Sequence, residues 1–535
     1  MSVQRILDLS RLGLFLAVLV FIVGWAIAPQ KDLRAYACDP FGYLRQAQLF
    51  RDKGLIGGLD TRLLIPEAND LIAISKQIYI PPADGAEIVA PQCHHQDKRT
   101  DAVMLQYPPL SGFLLSFFPE PVAPPMLYIT LMLVIGGCFL IATVRSGRVG
   151  WPTLVAGGII VYEVFRILRI YGMIDSVSVP CSVGLVAVMA LLTPELHKQM
   201  GWKRLLVALV VGFLGGALIG FRIANVLILL GIAFIGLTMP ASIVEKLKTA
   251  VAGGLGLAIG MLPVLAANTI NAGGPLHTTY NTIDASAPFF IPIMFYHHGR
   301  YYLFDDHSAP LIWVGLFAPI LRMVMLAVQR RPLRDYFMAI GAGLAMLATF
   351  CFFMTHWIRI DYYMVPGAMF SAMLVFFDMV SDGGSEKAGR VRRWVSMVAI
   401  LLFAGLGVWR YSQVTPKHYE ASAPPAMLDK DARVWADMTT GSILYYTGKY
   451  AAKLTFGDEC MRVAMLKAVS EQGKPQYLVA DTPAMHDTIA LVMPLTKLEI
   501  TGTFRFDGQP YPVYLLKPGA AWDAKAPTTC SNPPF

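Results

Sequence analysis

The sequence has 535 residues, of which 55% are hydrophobic and only 15% charged, and its mean hydropathy is +0.53. A soluble globular protein carries about 25% charged residues, so this composition excludes an ordinary soluble enzyme and predicts a polytopic α-helical membrane protein. The formal net charge of +8 does not indicate nucleic-acid binding, because the basic residues lie in short loops and not on one soluble face.

The apolar residues cluster in runs of about 15 to 20, the length that an α-helix needs to cross a hydrocarbon core. Eleven such runs predict about eleven membrane spans. No signal-peptide cleavage site follows the first run, which is therefore interpreted as a retained helix. The predicted spans are residues 12–29, 126–144, 152–168, 174–193, 205–220, 223–239, 250–268, 308–327, 336–354, 363–380 and 395–410.

The distribution of Lys and Arg among the short loops predicts the orientation. With the N-terminus in the cytoplasm, sixteen basic residues fall in cytoplasmic segments and four at the outer turns. We therefore expect a multi-pass protein of a bacterial-type cytoplasmic (inner) membrane, with a cytoplasmic N-terminus and a periplasmic, or extracytoplasmic, C-terminus.

This orientation places three long segments outside the membrane. Two are large outer loops, residues 30–125 and 269–307, within a transmembrane domain that covers residues 1–410. The third, residues 411–535, has an ordinary composition. In it, helical patterns (432–446, 461–471 and 484–493) alternate with strand-like runs (453–456, 476–480, 498–506 and 512–516). This alternation predicts a small soluble α/β domain.

The seven cysteines fall into two groups. Cys138, Cys181 and Cys351 lie inside apolar runs and are expected to be core residues. The other four lie in polar stretches that the predicted orientation places outside the membrane. There Cys38 with Cys93, and Cys460 with Cys530, are plausible disulfides, although connectivity cannot be derived from sequence.

An acidic residue, Asp39, follows the first predicted span at the start of an amphipathic stretch that includes Tyr43, Leu44 and Ala47. Ionisable groups at a membrane boundary normally mark a site or a partner. We therefore interpret Asp39 as a catalytic carboxylate. The alternative is that Asp39, directly before Pro40, only caps the N-terminus of a helix.

Many other ionisable and aromatic side chains fall at the outer ends of the predicted spans. One such group would mean little, but several from six different segments indicate a polar cavity at the outer membrane face. With Asp39, they are Tyr107, Arg166, Arg169, Asp175, Arg222, Asn225, His297, His298, Arg300, Arg359, Asp361, Tyr362 and Tyr363.

Each of these residues also has a structural interpretation. Arg222 would snorkel to the interface, Arg359 and Asp361 would form a local ion pair, and Asp175 would cap a helix. The tyrosines would belong to the interfacial aromatic belt. By contrast, His297 and His298, next to Arg300, are candidates for binding phosphate or a metal, although they lack the carboxylates that a metal site normally adds.

Four short motifs resemble the GT-C superfamily of integral-membrane glycosyltransferases. They are the acid with Tyr-Leu-x-x-Ala at Asp39 to Ala47, the run Tyr107 to Leu110, Phe221 to Asn225, and Tyr362 to Pro366. Their order and shared side of the membrane carry the resemblance, which covers roughly residues 1–410. The resemblance implies a polyprenyl-phosphate-linked sugar donor and a soluble α/β domain outside the membrane. A second acid beside Asp39, found in metal-dependent members, is absent, so no cofactor is expected and a divalent metal is not supported.

The expected reaction is transfer of the sugar to a hydroxyl of a cell-envelope lipid or glycan, with Asp39 as general base. Arg222 and Arg359, followed by Arg300 or His297, are the first candidates for the donor phosphate. The further candidate substrate residues are Tyr43, Tyr107, Asp175, Asp361 and Tyr362. Only one carboxylate is a convincing catalytic candidate, and no second one is available as a nucleophile. This favours inversion of the anomeric carbon in one step.

Two other function classes fit part of the sequence. A transporter or flippase of a lipid-linked sugar would explain many spans and a polar cavity, but the polar residues lie on one side, whereas a transporter needs a midplane site. A structural subunit of envelope assembly would explain the soluble C-terminal segment but not Asp39 or the arginines.

Overall fold

The computed structural model describes residues 34–80, 90–97, 100, 102–146, 151–171, 175–280, 291–356, 359–381, 401, 405, 408–409, 411–416, 419–455, 458–519, 522 and 525–531. The predicted span 12–29 lies outside the described residues, as does most of the predicted span 395–410. The chain divides into two compact units. The helical unit contains Pro108–Val264 and Ala287–Pro416, and the sheet unit contains Leu33–Tyr107, Leu265–Ser286 and Lys417–Phe535.

The α-helices of the described residues are numbered in chain order. They are α1 (Asp39–Gly57), α2 (Pro66–Ile78), α3 (Leu110–Ser116), α4 (Ala123–Ser146), α5 (Trp151–Tyr171), α6 (Ser178–Lys198), α7 (Trp202–Phe221), α8 (Ile228–Thr238), α9 (Ile243–Ala272), α10 (Pro292–Arg300), α11 (Ala309–Val328), α12 (Phe337–Thr355), α13 (Val365–Ser381), α14 (Thr440–Thr447), α15 (Glu459–Glu471) and α16 (Pro483–Val492).

Six helices of the described chain are long and apolar enough to cross a membrane, judged by length and composition. They are Glu120–Ala142, Ser178–Lys198, Trp202–Phe221, Ile243–Ala272, Ala309–Val328 and Leu333–Thr355. Shorter apolar helices, Ile223–Thr238 and Val365–Val380, match two more predicted spans. The predicted span 152–168 is helical as α5 but is not among the six. A helical protein with at least six candidate spans is thus confirmed, and the count of eleven stays a prediction.

Helix α13 lies at the centre of the helical unit, where it packs against α4, α5, α6, α11 and α12. Small residues allow one of these contacts to be close: a Cβ added at Gly315 of α11 would lie 2.7 Å from the Cα of Ala368 in α13. The Ser371 hydroxyl donates to the Gly315 carbonyl at 2.7 Å. Small residues at helix contacts and a hydroxyl bound across them are typical of helix packing in membranes.

The sheet unit contains a six-stranded mixed sheet in the order β4-β8-β9-β7-β5-β6. The strands of the described residues are β1 (Tyr79–Ile80), β2 (His94–Gln96), β3 (Val103–Leu105), β4 (Ala421–Ser422), β5 (Arg433–Ala436), β6 (Ala451–Lys453), β7 (Gln476–Val479), β8 (Thr496–Phe506), β9 (Gln509–Pro518) and β10 (Cys530–Ser531). β5 pairs in parallel with β6 and β7, whereas β7, β9, β8 and β4 are antiparallel. The predicted C-terminal sheet domain is therefore present.

One predicted element of this domain was wrong. The helical pattern at 432–446 begins instead as the fully buried strand β5, and only α14 is helical. A central parallel strand is buried on both faces, so Val434, Trp435 and Ala436 form a continuous apolar run. Such a short run does not distinguish a strand from a buried helix turn.

The C-terminal segment shares its core with parts of the segment 30–125, which was predicted to be an outer loop. Phe41, Leu44 and Leu71 belong to one buried cluster with Trp435 and Met461. The sheet unit is thus assembled from three stretches of chain, a grouping that the sequence does not indicate because more than 100 residues separate each stretch from the next.

Both predicted disulfides are confirmed. The Cα atoms of Cys38 and Cys93 are 5.2 Å apart, and those of Cys460 and Cys530 are 6.0 Å apart. Among the remaining cysteines, Cys138 and Cys181 are buried as expected, but Cys351 is exposed on α12. An apolar helix that faces lipid needs no buried side, which explains why the apolar run around Cys351 did not predict its exposure.

Candidate functional site

In the sheet unit the structure brings together two predicted site residues, Asp39 and Tyr107. Asp39 is the first residue of α1, and Cys38 occupies the N-cap position without a side-chain cap. The Tyr107 hydroxyl donates a hydrogen bond to Oδ1 of Asp39. The carboxylate therefore has a specific partner 68 residues away in the chain, which an N-terminal cap alone does not explain.

Tyr107 is held tightly on all sides. Its side chain is 3% exposed, its ring centroid lies 4.6 Å from that of Tyr43, and Gln46 donates to its carbonyl at 3.4 Å. Gly42 provides the space for the ring, because a Cβ at that position would lie 2.2 Å from Tyr107 Cε2. Tyr43, a predicted substrate residue, is itself fully buried, so in this structure it supports Tyr107.

Burial, and next the charge of Asp39, raise the pKa of Tyr107 well above its usual value. The phenol is therefore protonated at neutral pH and acts as a hydrogen-bond donor. A neutral donor orients the Asp39 carboxylate without adding an opposite charge.

The β2–β3 hairpin places Tyr107 and was not singled out from the sequence as part of a site. His95 hydrogen-bonds Gln106, the residue before Tyr107, and Thr279 donates to the Gln106 carbonyl at 2.8 Å. His94 Nδ1 donates to the Gln92 carbonyl at 3.2 Å. Desolvation lowers the pKa of His94 to about 3 and that of His95 to about 4, so both histidines are neutral at pH 7.

In the helical unit a second group of predicted residues meets around Arg222. This guanidinium pairs with Asp175 and donates to the Ser178 hydroxyl at 2.6 Å and to the Tyr362 hydroxyl at 3.2 Å. It lies 4.7 Å from the ring centroid of Tyr362 and 4.9 Å from that of Tyr363. The side chain of Arg222 is 11% exposed and that of Asp175 is 0% exposed. Arg222 therefore does not snorkel, and the Asp175 carboxylate binds Arg222.

A third polar group fixes the turn before α13. Asp306 accepts hydrogen bonds from Tyr171 and Ser308, and Ser308 also donates to the Asp361 carbonyl at 3.2 Å. Asp361, a predicted site residue, thus takes part through its main chain. Asp306 and Tyr171 were not among the predicted site residues; Asp306 lies in a loop that carries no motif.

Two of the predicted arginines are exposed. Arg359 places its guanidinium 4.3 Å from the ring centroid of Tyr301, and Arg300 directly precedes Tyr301. Arg300 pairs with Asp305 at 3.3 Å, but its side chain is 84% exposed, and such exposed pairs are weak. His297 is also exposed. The Arg359 and Arg300 guanidinium groups, and His297 of α10, are therefore accessible to an anionic group.

Among the described residues, two groups of three side chains have ligating atoms close together: Cys38, Asp39 and Cys93, and Asp458, Cys460 and Cys530. In both groups the cysteines form a disulfide, so they do not supply the thiolates that bind metals. The expectation about metals therefore stays a prediction.

No protein-family model and no curated protein matches the sequence. Among solved structures, the chain is similar to the crystal structure of ArnT from Cupriavidus metallidurans bound to undecaprenyl phosphate, with a TM-score of 0.49 and 13% sequence identity. The match covers 97% of this chain and 99% of that chain. A likeness at this level carries no conclusion about the activity of this chain.

Proposed function

We propose that this protein transfers a sugar from a polyprenyl-phosphate-linked donor to an acceptor hydroxyl at the outer face of the cytoplasmic membrane, as GT-C glycosyltransferases do. The observation that carries the proposal is the Asp39 carboxylate, which a buried, protonated Tyr107 orients at the start of α1. The motifs at Asp39, Tyr107, Arg222 and Tyr362 support the same class of enzyme.

Asp39 acts as the general base. A carboxylate has lone pairs on two oxygens, so it can accept the Tyr107 hydrogen bond and the proton of an acceptor hydroxyl together. As the proton moves to Asp39, the acceptor oxygen forms a bond to the anomeric carbon. The bond from that carbon to the phosphate oxygen breaks, and polyprenyl phosphate leaves. A single displacement of this kind inverts the anomeric configuration.

Positive charge must lie close to the donor phosphate, because it stabilises the phosphate as this group leaves. Arg359 and Arg300 are exposed, and both are linked to Tyr301: the Arg359 guanidinium lies over its ring, and Arg300 directly precedes it in the chain. Their guanidinium groups suit bidentate phosphate binding. Arg222 is buried against Asp175. We therefore assign Arg222 to holding Tyr362 in place, and the donor phosphate to Arg359 and Arg300, with His297 beside them.

The test is transfer of radiolabelled sugar from a panel of polyprenyl-phosphate sugars by purified protein in lipid vesicles. Asp39→Asn and Asp39→Ala should lower the transfer rate by about 10²–10⁴-fold, the usual contribution of a general base, with donor binding unchanged. The matched control is Asp52→Asn, an exposed acid on the same helix, which should leave the rate unchanged. Arg359→Ala should instead weaken donor binding.

Two outcomes would contradict the proposal. If Asp39→Asn keeps more than a tenth of the wild-type rate, Asp39 is not the base. If the wild-type protein transfers sugar from no donor in the panel but moves the lipid-linked sugar across the vesicle membrane, the protein is a transporter.

A further inference from the structure

The Cys38–Cys93 disulfide lies directly against the Asp39–Tyr107 pair. Cys38 is the residue before Asp39, and its Sγ atom is 3.1 Å from the Tyr107 hydroxyl oxygen. The Sγ atom of Cys93 is 3.2 Å from the same oxygen. Gln106, next to Tyr107 in the chain, reaches Cys38 Sγ at 3.5 Å. The disulfide thus contacts the phenol at the atom that donates to the carboxylate.

The disulfide also joins the two chain segments that carry this pair. Cys38 is at the N-terminus of α1, which begins with Asp39. Cys93 directly precedes β2, and His94 of β2 pairs with Leu105 of β3, two residues before Tyr107. One covalent bond therefore links the start of the helix that bears the carboxylate to the hairpin that bears the phenol.

The backbone at Cys93, and at Ala37 directly before Cys38, is in a conformation that L-residues rarely adopt. Ala37 has φ +57° and Cys93 has φ +59°. Residues other than glycine persist in this left-handed region only where the surrounding structure determines their conformation, and such residues cluster at functional sites. Of the two disulfides, only Cys38–Cys93 has such residues at its ends among the described positions.

We propose that the Cys38–Cys93 disulfide is a positioning element for catalysis, which keeps the Tyr107 phenol on the Asp39 carboxylate. This inference rests on the proposed function, because it assigns the disulfide a role in the same transfer step. Cys38 and Cys93 act through Tyr107, because both of their sulfur atoms lie against its hydroxyl group. Loss of the disulfide releases the hairpin from the start of α1, so the phenol no longer orients the base.

The experiment compares two disulfide-free variants of the full-length protein. Cys38→Ala/Cys93→Ala should lower kcat at least tenfold while the KM for the donor stays within twofold. The control, Cys460→Ala/Cys530→Ala, removes the other disulfide of the same unit and should leave kcat within twofold. Equal losses in both variants would overturn the proposal, because the disulfide would then act only through general stability.

A second comparison tests whether the disulfide acts through Tyr107. Tyr107→Phe, which keeps both disulfides, should lower kcat by a similar factor, and adding Cys38→Ala/Cys93→Ala to it should cause little further loss. Non-additivity of this kind is expected for residues that form one unit. Full kcat in Tyr107→Phe, or independent losses that multiply, would overturn the proposal, even if the cysteine variant alone folds poorly.

A third readout does not depend on activity and so separates this proposal from the proposed function. In protein labelled with [¹³Cζ]tyrosine, the Tyr107 signal is assigned by its loss in Tyr107→Phe. The ¹³C NMR chemical shift of this signal should change in Cys38→Ala/Cys93→Ala and stay the same in Cys460→Ala/Cys530→Ala. An unmoved signal would overturn the positioning role. Absence of transfer from every donor would refute the proposed function alone.

Discussion

Arg222→Met removes the guanidinium that pairs with Asp175 inside the helical unit. Asp175 is 0% exposed at its side chain and Arg222 only 11%, so the variant leaves a carboxylate buried without its arginine. Breaking a buried ion pair in this way costs about 3–5 kcal/mol. An unfolding entropy of about 2.1 cal/mol/K per residue gives about 1.5 °C per kcal/mol for a unit of roughly 320 residues, so the melting temperature should fall by roughly 4–8 °C.

The chain contains a matched control for this substitution. Arg322 pairs with Asp378 at 2.8 Å in the same unit, with side-chain exposures of 5% and 16%. Arg322→Met should therefore cost a similar free energy of unfolding. Replacing both partners, in Arg222→Met/Asp175→Val, should recover most of the loss, because an apolar pair leaves no uncompensated charge.

The assay is thermal unfolding of the purified variants in lipid nanodiscs, followed by donor binding to the folded protein. We expect the double variant to bind the donor within threefold of wild type, because the charge of Arg222 is balanced inside the protein. An unchanged melting temperature in Arg222→Met would refute the buried pair. A tenfold loss of donor affinity in the stable double variant would refute the assignment of Arg222 to a structural role.

Acid should destabilise the sheet unit through His94 and His95, whose pKa values fall in the fold from 6.5 to about 3 and about 4. Below pH 6.5 the unfolded chain binds protons that the folded chain does not, so stability is complete above pH 6.5 and falls with pH, by about 2 kcal/mol per histidine at pH 5. Denaturant midpoints measured at pH 7 and at pH 5 should show this loss of stability. The loss should be smaller in His94→Gln than in the wild type, and a loss of equal size in that variant would contradict the prediction. Gly42→Ala should force the Tyr107 ring from the carboxylate, since the new Cβ would lie 2.2 Å from Cε2, and transfer should fall at least tenfold. Gly137→Ala, with no atom within 4 Å of its new Cβ, is the control and should retain the wild-type rate; equal rates in both would refute the steric argument.

The candidate spans could be predicted because a bilayer permits few alternatives. A chain in hydrocarbon must satisfy its backbone groups internally, so a long apolar run becomes a helix. The run 205–220, for example, lies within α7. The C-terminal sheet domain is not constrained in this way, and strand β5 was predicted as a helix because Val434, Trp435 and Ala436 are buried on both faces and show no alternation.

The site could be predicted as a set of residues but not as a set of contacts. Asp39 and Tyr107 were both singled out, but their hydrogen bond spans 68 residues and depends on the β2–β3 hairpin, whose three-residue strands are too short to predict. The pairing of Arg222 with Asp175 could not be predicted either, because these two residues are 47 positions apart in the chain. Tertiary packing, of the hairpin in the first case and of the helices in the second, determines which of the predicted site residues meet.

The way in which each charge is held distinguishes the roles of these residues. Tyr107 holds Asp39 through a neutral phenol, so this hydrogen bond fixes the direction of the carboxylate without cancelling its charge, as a general base requires. Asp175 holds Arg222 through a full opposite charge in a buried setting, which makes this guanidinium a poor centre for a second anion. Arg359 rests on an aromatic face and is exposed, so this contact directs its charge without neutralising it. By this criterion Asp39 and Arg359 are suited to chemistry and phosphate binding, whereas Arg222 and Asp175 are suited to holding the helices in register.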